Sequence, residues 1–387
     1  MHIVISPNAF KHSLSGLEVA KAIQKGLEDS GLPARYTLCP VADGGEGMME
    51  ILVNFWQGTY QTVPAQDPLG RPINAIYGLI NNGQTAVIEL AQASGLKYLD
   101  PQERNPLRAS TFGTGQLLKA ALEAGAREFI IGVGNSATVD GGTGLLRALG
   151  VEFFDASQQP LGPGAGPLAN LAHINLSNLD PRLAQTKITV VCDVDNFLLG
   201  ENGSARVFGP QKGAEAAMVE VLEKNLAHLA TIIKTYLGKD ITQLPHGGAA
   251  GGTAAGLAGV LNAELVPGTE YILQQIGFAE IIENADVLIT AEGGLDEQTL
   301  AGKGPYVVAK VAKEYHVPVI AFAGQFPVGL DLSKFKYFDV ILPIGTGPVT
   351  LTEALAYTAT NLQRTAYQVG KLWQLPLNGV NNNNYIW

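Results

Sequence analysis

The sequence predicts an α/β protein of two domains, in which a second α/β domain interrupts a parallel-sheet domain. Three observations lead to this prediction. Both ends of the 387-residue chain alternate short apolar strands with helical segments, which is typical of parallel sheets. After Thr59, short alternating runs separated by turn residues indicate antiparallel hairpins instead. The length also exceeds that of one ordinary domain and suits two.

The return of strand–helix alternation near the end of the chain sets the expected domain boundaries. We expect residues 1–62 and 276–387 to form one discontinuous domain, and residues 63–275 to form the inserted domain. The predicted strands 2–6 and 286–290 would then share one parallel sheet. Ligands of open α/β sheets bind outside the carboxyl ends of the strands, so we expect an active-site cleft between the two domains.

Composition excludes several classes of function. The net charge is −10 and the sequence has no basic patch, so nucleic acid is not an expected partner. No apolar segment reaches about 18 residues, so we expect no membrane span. Cys39 and Cys192 are too few for a disulfide framework, and free thiols suit a reducing compartment. The chain opens on a strand without a leader pattern. We expect a cytoplasmic protein with a small-molecule substrate, and its oligomeric state is left open.

The central stretch from residue 127 to residue 150 carries the first functional signal. An apolar strand at 129–133 precedes a glycine-rich turn with Ser136, Thr138 and Asp140, and a short helix follows. A strand, a glycine-rich polar turn and a helix are typical of an anion-binding site, because main-chain N–H groups are free at the start of the helix. The alternative is a tight strand-to-helix connection without a ligand.

The other elements follow from apolar period and turn residues. Ser15 and Glu18 form a predicted capping box that starts the first helix. Lys11 lies in the turn before that helix, where it either faces a ligand or is a surface lysine. Further strands are predicted at 36–41, 60–63, 74–79, 85–90, 151–154, 188–191, 285–290, 317–323 and 340–344, and helices at 48–56, 215–237, 270–282 and 352–369.

Paired carboxylates follow three of the predicted strands: Asp43 with Glu46, Asp193 with Asp195, and Glu292 with Asp296. Clustered oxygen ligands without His or Cys suit Mg²⁺. We therefore take Asp43, Glu46, Asp195 and Glu292 as candidate metal ligands, and Asp193, Asp195 and Asp296 as candidate catalytic residues. For Asp43 and Glu46 the alternative is that acids favour the start of a helix. For Asp193 and Asp195 the alternative is an Asx turn that ends the strand.

Lysines in glycine-rich turns complete the pattern of phosphoryl transfer. The candidate substrate- and phosphate-binding residues are Lys11, Ser136, Thr138, Asp140, Lys212, Gln298 and Lys303. The sequence has no G-x-x-x-x-G-K-[ST] segment and no H-R-D or D-F-G set, which excludes a P-loop enzyme and a protein kinase. It also has no G-x-S-x-G elbow, which disfavours a serine hydrolase.

A dinucleotide-binding fingerprint is the competing interpretation of the central stretch. Gly132, Gly134 and Ala137 follow a strand, and Asp155 ends the next strand about 20 residues later. A nicotinamide-dependent dehydrogenase would explain this spacing. The helix after the turn is short, however, and the turn carries side chains where a pyrophosphate needs mostly main chain.

Ordered motifs extend along nearly the whole chain: FK at 10–11, SLS at 13–15, ADGGEG at 42–47, ASGL at 93–96, TG at 114–115, NSATVDGG at 135–142, CDVDN at 192–196, FGPQKGA at 208–214, AGG at 250–252, EG at 292–293, Asp296, QT at 298–299 and GK at 302–303. Together they resemble the class I glycerate kinase family. The resemblance implies ATP-dependent phosphorylation of D-glycerate to 2-phosphoglycerate with Mg²⁺. It also implies a Rossmann-like domain interrupted by a second α/β domain.

The chain departs from the pattern of that family at six positions: Asn8, Ala9, His12, Asn135, Val139 and Gly294. Asn8 stands where Asp is usual and Gly294 where Arg is usual, which removes one metal-type and one anion-type contact. The substrate would then be D-glycerate or a related hydroxy acid. The alternative is a non-catalytic paralogue that binds a hydroxy acid or a nucleotide. The retained residues favour an enzyme: Asp193, Asp195, Asp296 and Lys303.

Overall fold

The structure is a computed structural model that describes residues 1–296, 299–301, 303–327 and 329–376. Its strands in these residues are β1 (His2–Ile5), β2 (Arg35–Leu38), β3 (Thr59–Gln66), β4 (Pro72–Ile80), β5 (Thr85–Glu89), β6 (Glu128–Gly132), β7 (Glu152–Phe154), β8 (His173–Asn175), β9 (Lys187–Cys192), β10 (Glu264–Pro267), β11 (Val287–Gly294), β12 (Val319–Gln325) and β13 (Val340–Pro343). Its α-helices are α1 (Gly16–Asp29), α2 (Met48–Phe55), α3 (Ala91–Ser94), α4 (Phe112–Glu123), α5 (Thr143–Ala148), α6 (Ser204–Phe208), α7 (Ala216–Leu237), α8 (Ala249–Leu261), α9 (Gly268–Gln275), α10 (Phe278–Glu283), α11 (Gly304–Glu314), α12 (Leu351–Ala356) and α13 (Thr358–Trp373).

Residue contacts divide the chain into two compact units. The first unit is Met1–Ala42 with Ile272–Trp387, and the second is Asp43–Tyr271. The first change of unit comes earlier in the chain than residue 62, the expected domain boundary. The reason is that α2 packs against β4 and β5 of the second unit.

The first unit contains a parallel sheet in the order β13-β12-β11-β1-β2. Ile3 of β1 lies opposite Val287 of β11, which confirms that the two ends of the chain share one sheet. The capping box of α1 is also confirmed. Ser15 Oγ accepts a hydrogen bond from the N–H of Glu18, and the Glu18 carboxylate accepts one from the N–H of Ser15. Helices α1 and α13 pack together and cover apolar strand residues of this sheet.

The second unit contains a six-stranded mixed sheet in the order β10-β9-β6-β5-β4-β3. Its first four strands are parallel, and β4 and β3 continue it as antiparallel strands. The antiparallel hairpins predicted after Thr59 are therefore confirmed, as is the mixed α/β class. Strand β9 lies between β6 and β10 and is buried from Ile188 to Cys192. None of the described helices is long and apolar enough to cross a membrane.

Two predicted helices are each broken in two. The helix expected at 270–282 is α9 and α10, and Gly277, the second of the two residues between them, has a φ of +63° that an α-helix does not allow. The helix expected at 352–369 is α12 and α13, which meet at Tyr357. Strand β10 is absent from the sequence-based prediction because its four residues have no clear alternation.

Candidate active site

Lys212 is the buried cation of the second unit, and it lies under the loop that follows β6. Its Nζ donates hydrogen bonds to Ser136 Oγ at 2.7 Å and to Thr138 O at 2.8 Å. Lys212 is only 2% exposed to solvent. Burial lowers the pKa of Lys212 to about 8, although the carboxylates of Asp193 and Asp140 oppose this change. The structure thus brings together three of the predicted substrate-binding residues.

Asp140 has a different position from the one expected of a substrate ligand. It is completely buried, and its carboxylate accepts hydrogen bonds from the N–H and Oγ1 of Thr111, each at 2.9 Å. It also accepts from the N–H groups of Gly142 and Gly144 at 3.1 and 3.2 Å. Burial raises the pKa of Asp140, and these donors oppose the rise. With four donors on its two oxygens, Asp140 holds the loop in place.

The same loop is held from a second side by the start of α8. A Cβ at Gly251 would lie 2.1 Å from Thr138 O, so only glycine permits the two segments to approach. Gly141 N–H donates to Gly251 O at 3.0 Å. Thr138 Oγ1 is buried and has no hydrogen-bond partner among the described residues. The loop that presents Ser136 is therefore fixed by packing and by main-chain hydrogen bonds.

Asp193 and Asp195 are exposed directly after the buried strand β9. The carboxylate of Asp193 is adjacent to the glycine-rich loop, since a Cβ at Gly134 would lie 3.3 Å from Asp193 Oδ2. The main chain of this segment is fixed by His246, which the sequence did not single out. Its N–H donates to Asp195 O at 3.2 Å, and its Nδ1–H donates to Val194 O at 2.8 Å. Two carboxylates are thus presented to solvent from a rigid main chain.

The loop that begins at Asp43 crosses the carboxyl ends of β6 and β9. Gly44 has a φ of +96°, and a Cβ there would lie 2.5 Å from Val191 O. Gly134 N–H donates to Gly44 O at 3.1 Å. Asp43 Oδ1 accepts from Gly45 N–H at 3.2 Å, which forms an Asx turn. The loop therefore lies beside the same glycine that contacts the Asp193 carboxylate.

Glu46 is a surface residue, and a second acid, Glu89, holds the end of this loop by hydrogen bonds. Glu46 Oε1 lies 4.0 Å from Lys97 Nζ, and both side chains are largely exposed. Glu89 is 3% exposed and accepts hydrogen bonds from the N–H groups of Gly47 and Met49, each at 2.9 Å. Burial raises the pKa of Glu89. The sequence did carry a signal for it, namely one acid that closes an otherwise apolar strand.

The first unit has its own polar cluster at the carboxyl end of β11. Lys303 Nζ lies 3.3 Å from Asp296 Oδ1 and 3.7 Å from Glu292 Oε1. Thr299 Oγ1 donates to Glu292 Oε2 at 3.1 Å, and Thr299 N–H donates to Asp296 Oδ1 at 3.1 Å. The structure thus brings together three predicted site residues, and it adds Thr299 as the residue that connects the two acids.

Two other predicted site residues remain to be placed. Lys11 is exposed in the turn after β1, and Gln298 lies outside the described residues. Among the residues that the structure describes, no three His, Cys, Asp or Glu side chains are gathered as a metal site.

The dinucleotide-binding fingerprint does not have the context that it requires. Asp155 follows β7, but β7 pairs only with β8 in a separate two-stranded antiparallel sheet. Asp155 Oδ1 accepts hydrogen bonds from the N–H groups of Ser157 and Gln159, so it closes a turn. The next strand after β6 in the large sheet is β9, so Asp155 does not end the second strand of a βαβ unit as the fingerprint requires.

Comparisons with known proteins agree on one family. The model of the glycerate kinase family matches residues 3–374. A glycerate kinase of Halalkalibacterium halodurans is 45% identical over 367 residues, covering 95% of this chain and 97% of the relative. A glycerate 2-kinase of Escherichia coli K12 is 43% identical over 369 residues, covering 95% and 97%. A solved structure from Salmonella typhimurium LT2, assigned as glycerate kinase 2, superposes with a TM-score of 0.84 at 40% identity, covering 96% of this chain and 98% of that chain.

The class of protein follows from these findings together with the fold. It is a small-molecule kinase, a transferase that uses a nucleotide as phosphoryl donor. The chain belongs to the glycerate kinase family.

Proposed function

We propose that this protein transfers the γ-phosphoryl group of ATP to the C2 hydroxyl of D-glycerate, with Mg²⁺, and releases 2-phosphoglycerate and ADP. The name of the Escherichia coli relative, a glycerate 2-kinase at 43% identity, supports the 2-position. The two free, buried cysteines support a cytoplasmic location, since such thiols persist in reducing compartments.

The observation that carries the proposal is the buried Lys212 close enough to the exposed Asp193 carboxylate to interact with it electrostatically, at the carboxyl end of β9. Ser136 Oγ accepts a hydrogen bond from the ammonium group, so its own O–H is available to donate to a substrate oxygen. A cation in a low-dielectric site stabilises nearby negative charge more strongly than one in water. Lys212 therefore acts on a bound anion through Ser136 and through its field.

Asp193 is the proposed base. Its carboxylate accepts the proton of the C2 hydroxyl while the hydroxyl oxygen forms a bond to the γ-phosphorus. The bond between that phosphorus and the oxygen that bridges to the β-phosphate breaks, and ADP leaves with the electron pair. Asp195 would be the metal-side partner, and the two roles are exchangeable between the neighbouring carboxylates.

The residues present fit a magnesium ion that is held mainly by the nucleotide. Mg²⁺ is usually bound by one or two carboxylates together with phosphates and water, and does not need a complete protein cage. Asp193 and Asp195 offer exposed hard oxygen ligands in the second unit, and Asp296, next to the buried Glu292, offers one in the first. When bound, the ion would neutralise charge on the transferred phosphate.

The direct test is ADP release with Mg-ATP and D-glycerate, followed by NMR assignment of the phosphorylated carbon. We expect Asp193→Asn to lower kcat by about 10²- to 10⁴-fold, the usual contribution of a positioned base. Because the residue is exposed, its thermal unfolding temperature should stay near that of the wild type.

Asp29→Asn is the matched control. It removes one carboxylate that pairs only with exposed Lys25, and such surface pairs contribute little. Wild-type turnover in both Asp193→Asn and Asp195→Asn would place the chemistry elsewhere. An absence of ADP release above background with several hydroxy acids, from folded protein, would favour the non-catalytic alternative.

A further inference from the structure

A cavity of about 240 Å³ lies in the second unit, on a different set of residues from the Lys212 cluster. Two arginines, Arg108 and Arg147, line it together with Asp67, Ser110 and Phe112. Pockets for drug-sized ligands measure about 300–1,000 Å³, so this one suits a compact molecule.

The charges that face the cavity are unbalanced. Asp67 is buried, but Arg71 Nε and the N–H groups of Leu69 and Arg71 already donate to its carboxylate. In the part of the chain that the structure describes, the guanidinium groups of Arg108 and Arg147 make no hydrogen bond and no ion pair with another residue. The cavity therefore carries two guanidinium groups without acceptors.

Two guanidinium groups without acceptors are unexpected in a chain that has more acidic than basic side chains. The sequence has 35 Asp and Glu residues against 25 Lys and Arg residues, so acidic partners are abundant. Arg147 is half-buried on α5, and burial lowers its pKa while Asp140 opposes that change. Removing a guanidinium group from water costs free energy that an acceptor must offset. An anionic ligand would supply the acceptor.

The walls of the cavity are fixed by main-chain hydrogen bonds. Ser110 N–H donates to Pro68 O at 2.9 Å, which joins the turn after β3 to the segment before α4. Arg108 N–H donates to Asn105 O at 3.0 Å. The main chain that carries Arg108 and Ser110 is thus held in place before a ligand binds, which lowers the ordering cost of binding.

We infer that this cavity binds a small dianion, a phosphorylated or dicarboxylic organic acid, through bidentate hydrogen bonds from Arg108 and Arg147. The planar guanidinium group matches the geometry of both phosphate and carboxylate, and Ser110 adds a hydroxyl donor. The inference concerns binding alone and holds whether or not the proposed phosphorylation of D-glycerate is correct.

Isothermal titration calorimetry of the full chain tests this inference, with inorganic phosphate and malonate as probes and without nucleotide, Mg²⁺ or D-glycerate. We expect at least one of the probes to bind the wild type. Arg108→Met and Arg147→Met should each weaken that binding by about 10- to 100-fold, because each removes charge-assisted hydrogen bonds. Arg108 is exposed, so its variant tests the site even where Arg147→Met fails to fold.

Arg35→Met is the matched control, since it removes one exposed guanidinium group in the first unit and should leave the affinity unchanged. Stronger binding of phosphate identifies a phosphorylated ligand, and stronger binding of malonate identifies a dicarboxylate. The inference is overturned by three results: no heat with either probe, equal affinities in the wild type and both arginine variants, or binding lost only in Lys212→Met.

Discussion

Replacing Lys212 with methionine tests the electrostatics of the loop that follows β6. The variant keeps an unbranched apolar side chain and removes the buried ammonium group. Burial lowers the pKa of Lys212 from 10.5 to about 8, and this difference corresponds to about 3 kcal/mol of destabilisation of the charged form. At neutral pH both the folded and the unfolded protein carry the proton, so the wild type bears the whole of that cost.

The destabilisation caused by the buried charge of Lys212 decreases as the pH rises. Above about pH 8 the folded protein releases the proton of Lys212, while the unfolded chain retains it to about pH 10.5. The unfolded state then binds more protons, so the free energy of unfolding increases with pH. Between about pH 6.5 and about pH 9.5 the wild type should gain about 2 kcal/mol relative to Lys212→Met. The variant also lacks the hydrogen bonds to Ser136 Oγ and Thr138 O, which lowers its free energy of unfolding by about 1–3 kcal/mol at every pH.

Urea unfolding of both proteins across this pH range measures the difference, in which the titration of all other groups cancels. Lys25→Met is the control, because Lys25 is exposed and its variant should give a difference that does not change with pH. A second measurement follows the side-chain ¹³C resonances of labelled lysines, where the signal lost in Lys212→Met should titrate near pH 8. A stability difference that stays constant with pH, or a titration midpoint near 10.5, would refute the assigned burial of the charge.

Four further predictions follow from the site. Lys303→Met should weaken nucleotide binding by about tenfold in calorimetry. The control Lys310→Met removes an exposed lysine of α11 and should leave the binding unchanged. Equal dissociation constants for the wild type and Lys303→Met would make Lys303 a surface residue. Asp140→Asn directs an amide group at main-chain donors, so urea unfolding should show a loss of about 2–4 kcal/mol, and a loss below about 1 kcal/mol would contradict the described hydrogen bonds. In Gly134→Ala the new Cβ would lie 2.6 Å from Gly45 Cα, so the loops must separate and kcat/KM should fall by about tenfold or more; unchanged kinetics would show that their contact is dispensable. Excess EDTA should abolish turnover until Mg²⁺ is restored, and full activity in EDTA would exclude a divalent metal.

The strands were largely predictable because their signals are local. The apolar runs at 129–133 and 188–191 correspond to β6 and β9, with ends that differ by one residue or so. The break between α9 and α10 was not predictable in the same way. Glycine adopts positive and negative φ about as readily, so the sequence is compatible with a continuous helix or a break, and the structure gives Gly277 a φ of +63°.

The candidate site was predictable as a set of residue types and not as a set of roles. Asp140 and Asp193 both follow predicted strands, and the sequence ranks both as site residues. The structure buries Asp140 under donors from Thr111, 29 residues earlier in the chain, and leaves Asp193 exposed. Glu89 shows the same effect, since its partners Gly47 and Met49 lie about 40 residues before it.

The sequence by itself therefore determined the α/β class, the family resemblance and the supply of carboxylates and lysines at strand ends, because these depend on period, turn chemistry and ordered motifs. Only the tertiary structure decided which of those polar groups hold loops in place and which face solvent. The physical reason is that the role of a carboxylate or an ammonium group is set by its burial and by the donors and acceptors around it. For Asp140, Glu89 and Lys212 those partners come from distant parts of the chain.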